Sequence, residues 1–301
     1  MNSLAQTDGE RSQGLHDHLV ELLRTQVRRY RRRLKVGQRE FSEAAVHNLR
    51  VSIRRLLSTV ELLGDLTSAR QVKKVRRALK RQLDALGELR DAQVQLLQLD
   101  RLRLRSPVVR AFRAYLRKRE KDCARQARKT VKHLKPGRVA ALMSKFEVEL
   151  RQCGKVRRAG ADFVVLRRGV NEVFARVAAL RQQIDPADAD TIHRTRVAFK
   201  KFRYRMEALA PLLPGVSRER LTAMRRYQNL MGAIQDATVL LAGTRRFTRS
   251  EKIAARLGGP LRVDLERARR RRIDRYLKAA NRLDDFRPPP SALARPWTAV
   301  T

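Results

Sequence analysis

The chain has 301 residues, of which 43% are hydrophobic, so it is long enough for one large domain or two modest ones with a packed core. Its net charge is +40, and arginine supplies 55 of the 70 cationic side chains. Because a planar guanidinium group can hold phosphate oxygens bidentately, this excess predicts a phosphate-rich or otherwise polyanionic partner. The two cysteines are isolated in the sequence, which argues against disulfides. The chain has no apolar run of 18 residues and no signal-peptide core, which argues against a membrane span and against export. We therefore expect a cytoplasmic protein.

The chain is predicted to be all-α between about residues 14 and 283, because apolar residues recur every three or four positions without alternating β-type runs. Proline and glycine divide this region into about eight segments. The dividing positions are Gly37, Gly64, Pro107, Pro136-Gly137, Gly160, Pro186, Pro214-Gly215 and Gly258-Gly259-Pro260. The polar residues 1–13 and the proline-rich residues 284–301 are predicted to be disordered tails.

Two blocks of the sequence recur in the same order. Residues 46–63 match residues 192–209 at an offset of 146, and residues 86–97 match residues 231–242 at an offset of 145. The identical pairs include His47/His193, Arg50/Arg196, Glu61/Glu207, Gly87/Gly232 and Asp91/Asp236. Because two ordered matches at nearly one offset rarely arise by chance, the sequence predicts an internal duplication, with about four helices in each half.

The first repeated block carries a basic stripe beside its apolar face. His47, Arg50 and Arg54 are spaced at i, i+3 and i+7, which places them on one helix face. At about 100° per residue this face borders the apolar arc, whereas a purely solvated charged face would lie opposite it. The second copy repeats the stripe as His193, Arg196 and Lys200, and Arg203 and Tyr204 extend it.

Cations at the edge of a core are costly unless they are paired or solvated. Asp91 and Asp236 recur together with the stripe, so structural ion pairs with Arg50 and Arg196 are one interpretation that the sequence leaves open. Thirty acidic residues are too few for seventy cations. We therefore expect an external anion to complete the stripe.

The repeated histidines have several interpretations. A lone helical histidine near a core is usually a packed residue, but its recurrence in both halves favours a function. A metal site needs three or four converging ligands, and the neighbouring arginines repel cations. Acid–base catalysis needs a carboxylate or nucleophile in a defined relation, and none accompanies either copy. Since GxxxxGK[ST] and GxGxxG loops are also missing, nucleotide chemistry has little support, and a phosphate contact fits best.

Other basic runs are less specific, because a charge run is most often a solvated helix face. Two groups are kept as candidate anion contacts: a stripe on the first helix, and pairs that match in charge between the repeats. They are Arg24, Arg28, Arg31 and Lys35, and the pairs Lys80/Arg225 and Arg81/Arg226. The bare run Arg269–Arg272 is left out of this set.

At these residues the chain resembles the conserved histidine α-helical domain (CHAD) family. The resemblance rests on VHNLRVSIRRL and IHRTRVAFKKFRY, followed by LGELRDAQV and MGAIQDATV, and it covers about residues 14–283. It implies one domain of two pseudo-twofold-related four-helix bundles, about 14–157 and 158–283, with a basic groove or pore between them. It also implies binding of inorganic polyphosphate and, for some members, a place on polyphosphate granules.

The resemblance places polyphosphate-binding residues at the positions that match the family's motif. They are His47, Arg50, Arg54, Arg55, His193, Arg196, Lys200, Lys201 and Arg203. Leu57 stands where the second copy has Arg203, so the two halves are expected to bind unequally. Members of the family often carry a triphosphate-tunnel catalytic domain ahead of this region, and no such domain precedes residue 14, which favours a stand-alone binder.

The prediction is therefore an all-α binder of inorganic polyphosphate that is not an enzyme and needs no metal or cofactor. The stripes offer a cation about every 5 Å turn, so contacts would add along one polyanion and weaken with salt. Two alternatives stay open. One is a nucleic-acid-binding protein, for which an aromatic fraction of 5% leaves few rings for base stacking. The other is a histidine-based metal enzyme such as a phosphohydrolase.

Overall fold

Helices make up almost all of the chain that the structure describes. The computed structural model covers residues 2–102, 104, 106–132, 136–156, 159–213, 215–252 and 255–288, and these ranges contain no β-strand. The predicted all-α fold class is confirmed. None of the helices in these ranges is both long and apolar enough to cross a membrane.

Ten α-helices and two short 3₁₀ helices follow one another along the described ranges. The α-helices are α1 (Asn2–Glu40), α2 (Glu43–Leu63), α3 (Ala69–Ala85), α4 (Gly87–Arg101), α5 (Pro107–Lys132), α6 (Pro136–Val156), α7 (Ala159–Gln182), α8 (Ala189–Leu209), α9 (Arg218–Ser250) and α10 (Ala255–Ala279). The 3₁₀ helices span Ala210–Leu212 and Ala280–Phe286. The two repeated blocks that carry the basic stripes form α2 and α8.

Polar side chains fix the starts of α2 and α8. The Ser42 hydroxyl accepts a hydrogen bond from the Ala45 N–H at 3.2 Å. The Asp188 carboxylate accepts one from the Asp190 N–H at 2.9 Å. Such caps satisfy N–H groups that the first turn of a helix leaves unpaired. Each of these two helices therefore starts at a defined residue, which fixes the positions of its basic stripe along the helix.

Several predicted helix breaks lie inside helices. Gly37 falls within α1, Gly160 within α7 and the segment 258–260 within α10. A single glycine costs a helix only about 1 kcal/mol, so packing overrides it. A Cβ on Gly37 would come within 2.8 Å of the Leu49 side chain, so this glycine allows α1 to approach α2 closely. Helix α1 ends instead at Glu40, and the next residue, Phe41, turns the chain with a φ of 48°.

The predicted tails differ from the structure at both ends. Helix α1 begins at Asn2, whereas the sequence predicts disorder over residues 1–13. No proline interrupts that segment, and extending a formed helix costs less than nucleating one. At the other end Phe286 is only 2% exposed and packs against Phe199 and Tyr227, so the tail cannot begin at residue 284. Residues 289–301 lie outside the described residues.

The apolar core does not divide between the two halves of the sequence. The larger cluster joins buried residues of both halves, for example Leu19, Ile53, Phe146, Phe202 and Met231. A smaller cluster lies where α4, α5, α9 and α10 meet, and it includes Leu99, Phe112, Leu240, Phe247 and Leu265. In the described residues six α-helices precede residue 157 and four follow it, whereas the sequence predicts about four in each half. One reason is that α9 runs unbroken where the first half has α3 and α4, which join at Leu86.

Four helices surround the space between the two stripes. Helix α2 packs against α8 and α4, and α9 packs against α8 and α4, so the four close into a ring. A cross-link between the halves holds α2 and α8 together: Arg205 of α8, 5% exposed, forms an ion pair of 3.0 Å with Asp65, two residues past the end of α2, and donates to the Glu61 carbonyl of α2 at 3.3 Å. A Cβ on Gly169 would come within 2.5 Å of both side chains, so this glycine leaves room for the pair.

A second cross-link between α2 and α8 is reciprocal. Arg55 of α2 lies 3.6 Å from Glu207 of α8, and Lys201 of α8 lies 3.0 Å from Glu61 of α2. The two cations occupy equivalent positions in the repeat, and so do the two carboxylates. Such an exchange of identical contacts is what a twofold axis between two helices produces. The pairs support the duplication, which stays a prediction.

Candidate functional site: a basic cleft between α2 and α8

A cavity of about 810 Å³ lies inside the ring of α2, α4, α8 and α9, and we call it the basic cleft. Both copies of the stripe face it. The sequence-predicted site residues that line it are His47, Arg50, Arg54, Arg55, His193, Arg196, Lys200, Arg203 and Arg225. The structure thus brings together side chains that lie about 146 positions apart in the sequence because α2 packs against α8.

The stripe on the first helix lies elsewhere. None of its four cations lines the basic cleft. Arg24 forms an ion pair of 2.6 Å with Glu147 of α6, and Arg28 one of 2.5 Å with Glu21 of its own helix. Arg31 and Lys35 are exposed on α1. A contact between these four residues and a ligand stays a prediction that the cleft does not support.

Four other predicted residues also lie outside the cleft. The Lys201 ammonium is paired with Glu61. Lys80 and Arg81 line two further cavities on either side of α3, and Arg226 is exposed on α9. Their role in anion binding stays a prediction.

Arg50 and Arg196 do not form the direct ion pairs that the sequence left open. Among the described residues, no ion pair joins Arg50 to Asp91 or Arg196 to Asp236, although each aspartate is near enough to favour the charged form of its arginine. Arg50 instead donates a hydrogen bond to the Leu83 carbonyl. The Nε–H groups of both arginines are buried without a hydrogen-bond partner among the described residues. The two copies therefore share the same unsatisfied buried donor.

Positive charge accumulates at the centre of the cleft. Burial lowers the pKa of Lys200 to about 6, and the charges of Arg54, Arg196 and Arg203 add to the effect. Burial likewise lowers the pKa of Arg54 and of Arg196. None of Arg54, Arg196 and Lys200 forms an ion pair with a described carboxylate. Because like charges at short range in a partly dry site repel strongly, an anion placed among them would relieve the repulsion.

One aromatic ring orders the cations of the cleft. The Tyr204 ring is 8% exposed, and the Arg203 guanidinium lies 4.5 Å from its centroid. Lys200 and Arg55 approach the same ring at 5.8 and 5.9 Å. Arg203 also donates to Gln228 at 2.8 Å, and it pairs with Glu207, which is paired with Arg55 as well. The ring thus holds cations by cation–π contacts and is covered by them.

The two histidines have different surroundings. His47 is exposed, and its pKa is lowered first by partial burial and then by the charge of Arg90. His193 is half-buried, and its Nδ1 lies 2.7 Å from Oε1 of Gln235. Because an amide oxygen only accepts, this contact places the proton on Nδ1 and leaves Nε2 as the second ring nitrogen. In the part of the chain that is described, no three His, Cys, Asp or Glu side chains lie together so as to hold a metal ion.

The cleft also contains residues that the sequence did not single out. They are Arg90, Gln98, Arg101, Gln228, Gln235 and Arg272. Arg90 lies inside a repeated block, but its counterpart is Gln235, so a search for matched cations passes over it. Arg272 belongs to the bare run on α10, and its side chain reaches Gln98 at 3.4 Å. Only the packing of α10 in three dimensions reveals it.

Two neighbouring cavities share walls with the basic cleft. One of about 970 Å³ is also lined by Arg54, His193, Arg196 and Lys200. One of about 560 Å³ is also lined by Arg50, Arg54 and Asp91, and it reaches the side of α3. The central cations therefore face more than one opening.

A ring of helices around a cationic cleft, with two helices of like sequence facing each other across it, defines an all-helical domain with a basic central cleft. The family model of the CHAD domain matches residues 18–245, and the chain belongs to the CHAD domain family. The crystal structure of the CHAD domain from the plant Ricinus communis is similar with a TM-score of 0.68 and 19% identity, covering 94% of this chain and 93% of that one. PptA from Streptomyces chartreusis is similar with a TM-score of 0.64 and 19% identity, covering 90% and 99%. At this identity the likeness shows the fold. No curated protein shows a significant match to this chain.

Proposed function

We propose that the basic cleft binds inorganic polyphosphate. The observation that carries the proposal is the convergence of Arg54, Arg196 and Lys200 in one cleft, with no carboxylate paired to any of them among the described residues. The ligand expected from the resemblance to CHAD domains supplies the anion that this arrangement lacks. Charge-assisted hydrogen bonds from arginine to phosphate oxygens are short and strong.

A linear polyanion suits the cleft better than a single phosphate. The central cations come from two facing helices, and Arg50 and Arg54 on α2, like Arg196 and Lys200 on α8, are four residues apart, about 6 Å along the helix. A cavity of about 810 Å³ can hold several phosphate units at once. Successive units could each meet a cation, so that modest contacts add on one ligand. Binding would also return a proton to Lys200, because a nearby anion favours its charged form.

Binding of nucleic acid is the less favoured alternative. Proteins that hold single strands stack bases on accessible aromatic rings. Tyr204 is the one aromatic residue among the described residues that line the cleft, and Arg203, Lys200 and Arg55 cover its ring. Backbone phosphates could still be attracted, so the two ligands have to be compared directly.

Binding without catalysis is part of the proposal. Neither His47 nor His193 contacts a carboxylate in the described structure, and the Nδ1 of His193 is engaged by Gln235. A general acid or base is usually oriented by such a partner. Association with polyphosphate granules would then follow from ligand binding, and a tagged protein should leave the granules when the cleft is mutated.

The test is charge reversal at the centre of the cleft. Arg54→Glu combined with Lys200→Glu should weaken binding of polyphosphate by at least about 100-fold, because each lost charge-assisted contact is worth about 1.5–3 kcal/mol. The matched control is Arg110→Glu with Arg117→Glu, two exposed cations of α5 that line none of the described cavities. This control has the same net charge and should bind within about threefold of the original chain. Isothermal titration calorimetry measures both, and circular dichroism reports the helix content.

Three results would count against the proposal. Undiminished binding by the cleft variant would remove the cleft as the site. Displacement of polyphosphate by DNA or RNA at equal phosphate concentration and fixed salt would favour the nucleic-acid alternative. Release of phosphate by the purified protein, with or without added divalent cations, would show an enzyme.

A further inference from the structure

A second basic groove lies between α3 and α6, on the side of α3 that faces away from the basic cleft. We call it the α3–α6 groove; its volume is about 450 Å³. The residues that line it are Lys74, Arg77, Ala78, Arg81, Arg138, Ala141, Leu142 and Lys145. Five of these eight side chains are cationic and none is acidic. All five cations are exposed.

The acidic residues of α6 do not neutralise this groove. Glu147 is paired with Arg24 at 2.6 Å and with Arg151 at 3.3 Å. Glu149 accepts a hydrogen bond from the Ser68 N–H at 2.7 Å. Within the described ranges, no ion pair involves any of the five cations of the groove. A groove of one charge sign between two helices concentrates potential, and its natural ligand is an anion.

The cations form two facing stripes. On α3 they are Lys74, Arg77 and Arg81, at i, i+3 and i+7, and on α6 they are Arg138 and Lys145, at i and i+7. Each stripe spans two helix turns, about 10 Å. Small and apolar side chains form the floor between them. A linear anion lying along the groove would therefore meet cations on both sides over several of its units.

Helix α3 connects this groove to the basic cleft. Its other side presents Arg76 and Lys80 to the cavity of about 560 Å³. Arg50 and Arg54 line both that cavity and the basic cleft. Between the two sides, the exposed Lys73 lies on the outward face of α3. The cavity of about 560 Å³ is also lined by Glu61, Asp84, Glu88 and Asp91, so the cationic path between the two sites runs over the exposed face of α3 and not through that cavity. The cations of α3 are Arg70, Lys73, Lys74, Arg76, Arg77, Lys80 and Arg81.

We propose that the α3–α6 groove is a second binding site for the polyanion, occupied by the part of a long chain that leaves the basic cleft across α3. The inference rests on the proposed binding of polyphosphate in the cleft. A ligand held at one site is presented to the next at a high effective concentration, so a chain that reaches both sites binds more tightly than one that fills the cleft alone. The groove thus makes this protein select long chains.

The experiment compares two chain lengths of polyphosphate on a groove variant. Arg77, Arg81, Arg138 and Lys145 are replaced by glutamine together; the control replaces the exposed α5 residues Arg110, Arg117, Lys118 and Lys121 by glutamine. Chains of about one hundred phosphates should bind the groove variant about tenfold or more weakly, and the slope of log K against log salt should fall by about 3. Chains of about ten phosphates should bind both variants as they bind the original protein.

The outcomes separate this inference from the proposed function. Unchanged binding of long chains by the groove variant, or an equal loss in the α5 control, overturns the α3–α6 groove as a site. Loss of short-chain binding in the groove variant overturns the division of roles between groove and cleft. The Arg54→Glu, Lys200→Glu variant tests the cleft by itself: if it keeps short-chain binding, the proposed function fails whatever the groove variant does. Circular dichroism and a thermal melt of each variant identify any loss that comes from unfolding.

Discussion

The two helices that face each other across the basic cleft place different cations at equivalent positions, Arg54 on α2 and Lys200 on α8. Burial lowers the pKa of both side chains, but the arginine stays charged, whereas the pKa of the lysine falls to about 6. One copy of the stripe therefore supplies a permanent charge and the other a charge that depends on pH and on the ligand. A duplication that keeps the sign of a charge need not keep its behaviour.

The outer parts of the two stripes differ as well. Arg203 has Leu57 as its counterpart, but Glu207 and Gln228 engage the extra cation. Gln235 has Arg90 as its counterpart, so one histidine faces an amide and the other a positive charge. The two halves are therefore expected to bind the ligand unequally because different cations in each half are already engaged by neighbouring side chains, and less because the number of cations differs.

The largest effect expected from this comparison is on stability. Lys200→Met should raise the free energy of unfolding by about 2 kcal/mol at pH 7, because it removes the cost of burying an amine among like charges. This energy corresponds to one to two pKa units. The folded pKa of about 6 lies below the ordinary value of 10.5, so the cost of burying Lys200 is full below pH 6 and disappears as the pH rises to 10.5. The gain should therefore shrink between pH 6 and pH 10. Urea denaturation at several pH values measures it.

Arg54→Met is the matched comparison in the other copy. Any change in the free energy of unfolding that it causes should be constant between pH 6 and pH 10, because a guanidinium group stays protonated there. A gain for Lys200→Met that does not vary with pH would mean that Lys200 stays charged in the folded protein, and the contrast between the copies would be lost.

A smaller effect concerns the pH dependence of binding. Above pH 6 the free cleft holds Lys200 largely neutral, and a bound anion favours its charged form, so binding should take up close to one proton. The affinity for polyphosphate should then fall by up to about tenfold per pH unit above pH 6. Lys200→Arg should flatten this dependence. Calorimetry in two buffers of different ionisation enthalpy gives the number of protons; no uptake by the original chain at pH 7 would refute the assignment.

Much of this site could be predicted from the sequence because its central residues share one helical face and one repeat offset. His47, Arg50 and Arg54 recur as His193, Arg196 and Lys200, and both features are visible without coordinates. The all-α class followed from the same apolar periodicity. These predictions depend only on short-range geometry, which the sequence encodes directly.

The rest of the site depends on which helices meet. Glu61 and Glu207 are a matched pair in the alignment, but each neutralises a cation of the opposite copy, and only the packing of α2 on α8 decides that. Arg272 enters the cleft from α10, outside either repeated block. Arg50 lies near Asp91 but forms no ion pair with it. Sequence spacing does not predict whether two such side chains come within bonding distance.

The smallest effect tests the histidines. Arg90→Gln gives the first copy the residue that the second copy has, and it removes a charge that lowers the pKa of His47. The pKa of His47 should rise, as followed by the imidazole signals in NMR spectra over pH, while Arg113→Gln on α5 should leave it unchanged. The affinity for polyphosphate should change by no more than about threefold, because the lost charge of Arg90, which is paired with Glu43, is offset by a more protonated ring. If the pKa of His47 stayed where it was, the charge of Arg90 would not contribute to its lowering, and other causes, burial first, would have to account for it.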